Sequence, residues 1–423
     1  MIRRIFLMAM MCLPVLGIAQ ELTASPYSFN GIGEMRSRGT NENRAMGEIT
    51  VYQDSIHLNL QDPSSLGALK LTNYSLGVNY NSVRLRNADT KVSDDTAGID
   101  YLAIAFPITS HMGVGFGLAP RTAVGYQLQA ESINTDLGGE REQINTFSGD
   151  GGVNQIFLSA GYAITKKINF GVTGRYSFGT IENENIQFIE DVEFGTRELY
   201  RSTLSGWDFK LGVNYKDKLT ANKYFAANIV YNFESRLNSE NSQTITSITN
   251  LGSTGGSEQV ITLGDLARTK LDIPYGMSFG FGVGEEKKWF LGANYFFNQN
   301  SNFEDRFFNV NDNVIFEDAL KVSLGGFYIP KYDSFTSYWS RVVYRAGLRF
   351  EDTGLVINGE QINDFGISFG IGLPVSRNFS NFNLGFDLGR RGTQNADLIQ
   401  ENYFNIRLSV SLNDRWFQKR KFN

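Results

Sequence analysis

From Leu71 to the C-terminus, segments of about nine to eleven residues recur in which every second side chain is apolar and the positions between carry charges, amides or glycine. In the clearest, Trp207, Phe209, Leu211, Val213 and Tyr215 alternate with Asp208, Lys210, Gly212 and Asn214. A period of two is the strand period. A soluble sandwich rarely sets two charges opposite such an aromatic row, whereas a barrel wall in lipid needs apolar side chains outward and tolerates polar ones toward a wet interior. The length is that of a tilted strand crossing a bilayer. The same reading sets Val342, Tyr344, Ala346, Leu348 and Phe350 against Arg341, Arg345 and Arg349. In the last segment it sets Phe404, Ile406, Leu408, Val410 and Leu412 against Asn405, Arg407, Ser409 and Ser411.

Composition agrees with many short strands joined by turns: 44 glycines and 13 % aromatics against only 8 prolines in 423 residues. The formal charge of −5 comes without a basic block, so nucleic acid is not expected as a partner. Arg3-Arg4, the apolar run Ile5 to Leu16 and the small pair Gly17 and Ala19 read as a secretory leader over residues 1–19, cut before Gln20. The single cysteine, Cys12, lies inside it, so the mature chain is expected to hold no thiol.

About fourteen strands are expected, beginning near Thr72, Gly98, Gly113, Asn154, Ile168, Trp207, Tyr224, Tyr275, Trp289, Leu320, Val342, Phe365, Phe382 and Tyr403. The number is even, as in single-chain bacterial barrels. Connections alternate between short ones, such as Pro107 to His111 and Thr165 to Lys167, and long polar ones, such as Glu131 to Gly152, Ile181 to Arg201 and Arg236 to Lys270. Short turns facing the periplasm and long loops facing outside would put both termini in the periplasm of an outer membrane. Tyr74, Tyr80, Tyr162, Trp207, Tyr215, Tyr231, Trp289, Tyr295, Tyr344 and Tyr403 are expected to form two interfacial girdles against outer-membrane lipid.

Residues 20–70 lack sustained alternation and carry Gly31, Gly33, Gly39 and Gly47 with a polar stretch from Arg36 to Arg44. A barrel near fourteen strands leaves an interior wider than side chains fill, so this segment is expected inside as a plug, with the barrel wall over 71–423.

Several motifs resemble the FadL family of outer-membrane transport proteins: Arg44-Ala-Met-Gly47, Asp54-Ser55, and Asp62-Pro63-Ser64-Ser65-Leu66. The last is similar to that family's Asn-Pro-Ala element, with Asp62 and Ser64 in place of its first and third residues. Gly117 to Tyr126, containing Pro120, is similar to the family's kinked strand. Gly389-Arg-Arg-Gly392, Glu401 to Phe404 and Ser411 to Lys421 look like Bacteroidetes members. The resemblance implies a fourteen-stranded barrel, an N-terminal hatch, and passive movement of hydrophobic or amphipathic small molecules toward a lateral opening. The channel is the leading expectation; the alternative is a non-transporting accessory barrel bound to a secretion complex (the type IX translocon) or an assembly complex.

Nothing points to catalysis, a cofactor or a metal: His57 and His111 are the only histidines, too few for a triad or a multi-histidine site. Gly113-Val-Gly-Phe-Gly117 and Gly280-Phe-Gly-Val-Gly284 lie within strands and precede no helix, so they read as places where the wall bends or the plug comes close. The lumenal charges Asp208, Lys210, Arg341, Arg345, Arg349, Asp387 and Arg407 can hold the plug through acids such as Glu34, Glu42, Glu48 and Asp54, or bind an anionic ligand. Pro120, in mid-strand without a backbone donor, marks either a kink beside a wall opening or a bulge.

Overall fold

The computed structural model describes residues 22–36, 38–135, 140–249, 257–303, 313–375 and 380–415. The expected leader with Cys12 and the end of the C-terminal motif, Trp416 to Lys421, lie outside them. Fourteen antiparallel strands form the wall. These are β1 (Thr72–Arg86), β2 (Lys91–Pro107), β3 (Met112–Asn134), β4 (Arg141–Ala163), β5 (Ile168–Ile189), β6 (Gly195–Lys218) and β7 (Lys223–Asn232, continued by Ser235–Ile248). After them come β8 (Arg268–Ile273, continued by Gly276–Glu285), β9 (Trp289–Asn298), β10 (Val314–Phe316 with Ala319–Tyr328), β11 (Val343–Ile357), β12 (Glu360–Pro374), β13 (Asn381–Arg391) and β14 (Gln400–Asp414). The last strand pairs with the first, from Gln400↔Arg86 to Asp414↔Thr72, so the sheet closes on itself. Closure satisfies the backbone groups that a hydrocarbon layer could not.

The period-two pattern decides which face meets lipid. On β6, Trp207 and Phe209 are 61 % and 52 % exposed while Asp208 and Asn214, between them and beyond, are 2 % and 1 %. On β4 the outward row runs Ile156, Leu158, Tyr162 and is bounded by outward Asn154, again about nine residues. Tyr74, Tyr162, Tyr215, Tyr328 and Tyr344 ring the short-turn end of this band, and Tyr80, Trp207 and Tyr295 stand at its other side. Tyr403 departs from the expected girdle, since its hydroxyl points inward and donates to Asp364 at 2.7 Å.

The connections expected to be long loops are largely strand. β3, β4, β5 and β6 run 23, 23, 22 and 24 residues, so the described residues 131–134 and 141–152, like the stretch Ile181 to Arg201, belong to paired ribbons rising beyond the lipid band. Toward the tips of these ribbons both faces reach water, and the alternation that betrays a membrane strand is lost.

The wall is incomplete in one place. β2 and β3 pair only from Leu102↔Leu118 to Pro107↔Gly113. At Pro120 the pairing of β3 with β4 shifts register across Arg121, as a strand lacking a backbone donor requires. The freed edge of β3 is taken by a two-residue strand of the N-terminal segment, Glu34–Met35, in the register Glu34↔Ala123 and Met35↔Thr122. The Arg36 amide donates to the Arg121 carbonyl at 2.9 Å, and the Gly125 amide donates to Ser28 Oγ at 3.1 Å.

The height of the lipid band is testable. Leu158→Arg, in mid-band, should cost roughly 2–4 kcal/mol of folding in lipid. Ile133→Arg, equally exposed but on the ribbon beyond the band, should be tolerated. Urea titration of both variants in vesicles measures this, and equal losses would mean that the band is misplaced.

Candidate functional site in the barrel lumen

The segment before β1 fills the ring of strands. Every residue from Gly39 to Val51 is buried, although this stretch contains Thr40, Asn41, Glu42, Asn43, Arg44, Glu48 and Thr50. Burying so many polar groups is tolerable only when they find partners; some lie within the segment, as where Thr40 donates to Asn43 and Asn43 to the Ile49 carbonyl, and the rest come from the inward face of the wall. Arg44 pairs with Asp100 of β2 at 2.9 Å. Glu42 accepts from Asn383 of β13 at 2.9 Å and from Ser411 of β14 at 3.1 Å. Glu34 pairs with Arg391 of β13 at 3.0 Å and accepts from Thr23 at 2.5 Å.

The densest contact centres on Glu48. Its two oxygens meet Lys321 of β10 at 2.8 Å and Arg349 of β11 at 2.8 Å, with Arg38 at 3.6 Å. Burial alone would raise its pKa, but these cations outweigh it and hold the carboxyl well below the usual range. Gly47 and Glu48 have φ of 70° and 69°. Such a conformation costs a non-glycine residue roughly 1–2 kcal/mol, and here it is retained because it aims the carboxylate between two wall cations. The wall accommodates the turn in turn: a Cβ on Gly347 would lie 2.1 Å from the Gly47 nitrogen.

A second anchor is the Asp62-Pro63-Ser64 turn, which begins the 3-10 helix Pro63–Ala68. Asp62 Oδ1 accepts from the Ser64 amide at 2.9 Å and the Ser64 hydroxyl at 2.6 Å, and Oδ2 accepts from Asn228 of β7 at 2.8 Å. Burial pushes the Asp62 carboxyl above its ordinary range despite these bonds. Lys210 of β6 donates to the carbonyls of Leu60 and Gln61 at 3.4 and 3.3 Å. Gly171 gives Pro63 room, since a Cβ there would lie 2.3 Å from the Pro63 carbonyl carbon.

On the ribbon side of these anchors lies a cavity of about 360 Å³. Its lining combines apolar Ile32, Phe233, Ile273, Phe303 and Leu355 with charged Arg121, Arg175, Lys210, Lys321 and Glu48. Behind Ile32, a row of inward aliphatic and aromatic residues crosses consecutive strands: Val124 and Tyr126, Val153, Ile181, Leu204, Leu237 and Leu271. Met35, 48 % exposed in the gap between β2 and β3, also borders this cavity.

The sequence-derived residues therefore separate into groups. Asp208, Lys210, Arg345, Arg349, Asp387 and Arg407 all face the lumen and are buried. Asp208 binds Arg121 at 2.6 Å and also Arg175, Arg345 donates to Asn383 at 3.1 Å, and Arg407 pairs with Asp387. Arg341 does not join them, because β11 begins only at Val343 and Arg341 stands exposed in the preceding turn over the Tyr338 ring. Val342 beside it is fully buried instead of facing lipid. Of the expected acids, Glu34 and Glu48 take wall cations, Glu42 takes wall amides and hydroxyls, and Asp54 stays within its own segment on His57 at 2.7 Å. Sequence reasoning missed Asp100, Arg121, Lys321, Asp364, Arg391 and Glu401. Arg391 was legible: it has the parity of inward Asp387 four residues earlier.

The class defined by this geometry is a closed outer-membrane β-barrel of FadL-like fold, and solved structures show the same. The chain is similar to the monoaromatic hydrocarbon channel CymD (TM-score 0.59, 13 % identity, covering 89 % of this chain and 98 % of that one). It is similar to the toluene transporter TodX of Pseudomonas putida (0.58, 15 %, 90 % and 100 %). A FadL homologue of Pseudomonas aeruginosa gives 0.55, 10 %, 90 % and 98 %. No curated protein sequence matches the chain. The family model named BamG matches residues 1–423, and the chain belongs to the BamG family.

Two measurements probe the anchors. Glu48→Gln leaves Lys321 and Arg349 facing a buried neutral amide and should cost about 3–5 kcal/mol, as breaking one side of a buried pair does; a urea midpoint equal to wild type would show the contact to be idle. The second concerns His57. Burial lowers its pKa, but the Asp54 carboxylate and its hydrogen bond more than compensate and set it above the ordinary 6.5. A raised folded value means that this stabilisation is fully present below the unfolded value of about 6.5 and is lost as pH rises through the folded one. The stability difference between wild type and His57→Gln should therefore shrink as pH rises from about 6.5 through the raised folded value, and a flat difference would contradict the assignment.

Proposed function

We propose that this chain is a sealed accessory barrel of an outer-membrane protein-assembly complex. The observation that supports this most is the set of buried contacts fixing the N-terminal segment on several sides of the lumen: Arg44 to β2, Asp62 to β7, Glu48 to β10 and β11, Glu34 to β13. Movement of a solute past this segment requires separating charge pairs in a low-dielectric interior, at about 3–5 kcal/mol for each partner left unpaired. A segment held this way serves as a permanent filling. The name of the family, BamG, supports association with the barrel assembly machinery, and its match runs the whole chain. In this reading the short-turn end and both termini face the periplasm, where a partner reaches them.

A second reading is carried by a different observation. The half-apolar cavity of about 360 Å³ reaches the gap between β2 and β3, which suits uptake of a hydrophobic or amphipathic small molecule with the N-terminal segment as gate. CymD is a monoaromatic hydrocarbon channel and TodX a toluene transporter.

Purification of the tagged native protein in mild detergent, followed by mass spectrometry of co-purifying proteins and small molecules, separates the two. The accessory role predicts a stoichiometric outer-membrane partner and an empty cavity. A lone barrel carrying an amphipathic molecule would replace it with the channel reading.

A further inference from the structure

The short-turn end carries a pattern that the lumen does not explain. Five girdle aromatics on the outward face each have a lysine or arginine within four residues, one level farther from the lipid band: Tyr162 and Lys166, Tyr215 and Lys218, Trp289 and Lys287, Tyr328 and Lys331, Tyr344 and Arg341. All five cations are exposed. Among the described residues, none of them pairs with a carboxylate. Three of the four acids in these turns are taken by other lysines, Asp217 by Lys167 at 2.7 Å, Glu286 by Lys216 at 3.2 Å and Glu285 by Lys288 at 3.2 Å, and the fourth, Asp333, is exposed beside Lys331. Lys287 and Arg341 lie only over the Tyr332 and Tyr338 rings, at 5.1 and 5.4 Å. The opposite end has the other sign: between Glu182 and Arg201 six carboxylates accompany two arginines. A net charge of −5 makes a positive rim a local arrangement and no reflection of overall composition.

We propose that this rim is a binding belt for anionic phospholipid headgroups in the leaflet at the short-turn end. Interfacial tyrosine and tryptophan settle at headgroup level, so cations one level farther out lie among lipid phosphates, where each lysine or arginine contributes attraction to an anionic surface. The belt follows four consecutive short turns, from β4 to β11, an arc of more than half the wall. A protein partner docks on one side, whereas lipid surrounds the barrel. Ile164 and Leu219, 59 % and 58 % exposed in the same turns, add apolar contacts at that depth.

The test uses the full barrel in detergent with phosphatidylglycerol or phosphatidylcholine added, read by native mass spectrometry. Wild type should retain phosphatidylglycerol in preference, and the preference should fall as sodium chloride rises. Combined Lys166→Gln, Lys218→Gln, Lys287→Gln and Lys331→Gln should weaken retention by about fivefold per charge removed. Equal retention of the two lipids by wild type at low salt overturns the proposal without recourse to a variant. So does a folded fourfold variant that keeps its phosphatidylglycerol preference while losing a co-purifying acidic protein.

Discussion

A closed ladder of fourteen strands solves the backbone problem of crossing lipid and creates another, an interior too wide for its own side chains. The contact between Glu48 and the pair Lys321 and Arg349 is where the second problem is resolved. The carboxylate is fully buried, on a backbone turn that an ordinary residue avoids, and it joins β10 and β11 to the chain that fills the lumen. From there the ionic contacts extend without a break: Arg349 reaches Asp364 at 3.4 Å, Asp364 reaches Arg391 at 3.0 Å, and Arg391 reaches Glu34 at 3.0 Å. Plug and wall share one network, and neither is satisfied without the other.

That coupling bears on function more than the resemblance of fold does. The same FadL-like wall serves hydrocarbon channels, and fold alone does not settle what a barrel does. In this chain the lumen holds a segment fixed to strands on several sides. The cavity on the ribbon side and the gap between β2 and β3 are the features that a channel would use. The gap is nevertheless occupied at its edge by Glu34–Met35, a piece of the same fixed segment.

How legible this was in the sequence varied along the chain for physical reasons. β6 could be read residue by residue because lipid on one side and a wet lumen on the other enforce a strict period of two. The ribbons continuing β3 to β6 could not, because water on both faces removes the constraint while the ladder persists. Arg341 was placed inside by carrying the alternation two residues past the true start of β11 at Val343, where a turn resets the phase. Tyr403 was assigned to lipid by type although its parity, shared with Arg407, points inward. The Asp62-Pro63-Ser64 element was visible as a motif, but its partner Asn228 lies 166 residues away and no local pattern marks it.

The central claim is that the N-terminal segment is as firmly held as the wall around it. Hydrogen exchange of the native barrel, followed by mass spectrometry over Gly39 to Val51, tests this most directly. Protection comparable to β5 and β6 is the result predicted by a lumen sealed through buried charge pairs. Exchange within seconds, as in exposed turns, would show a segment that opens readily and would contradict the sealed barrel.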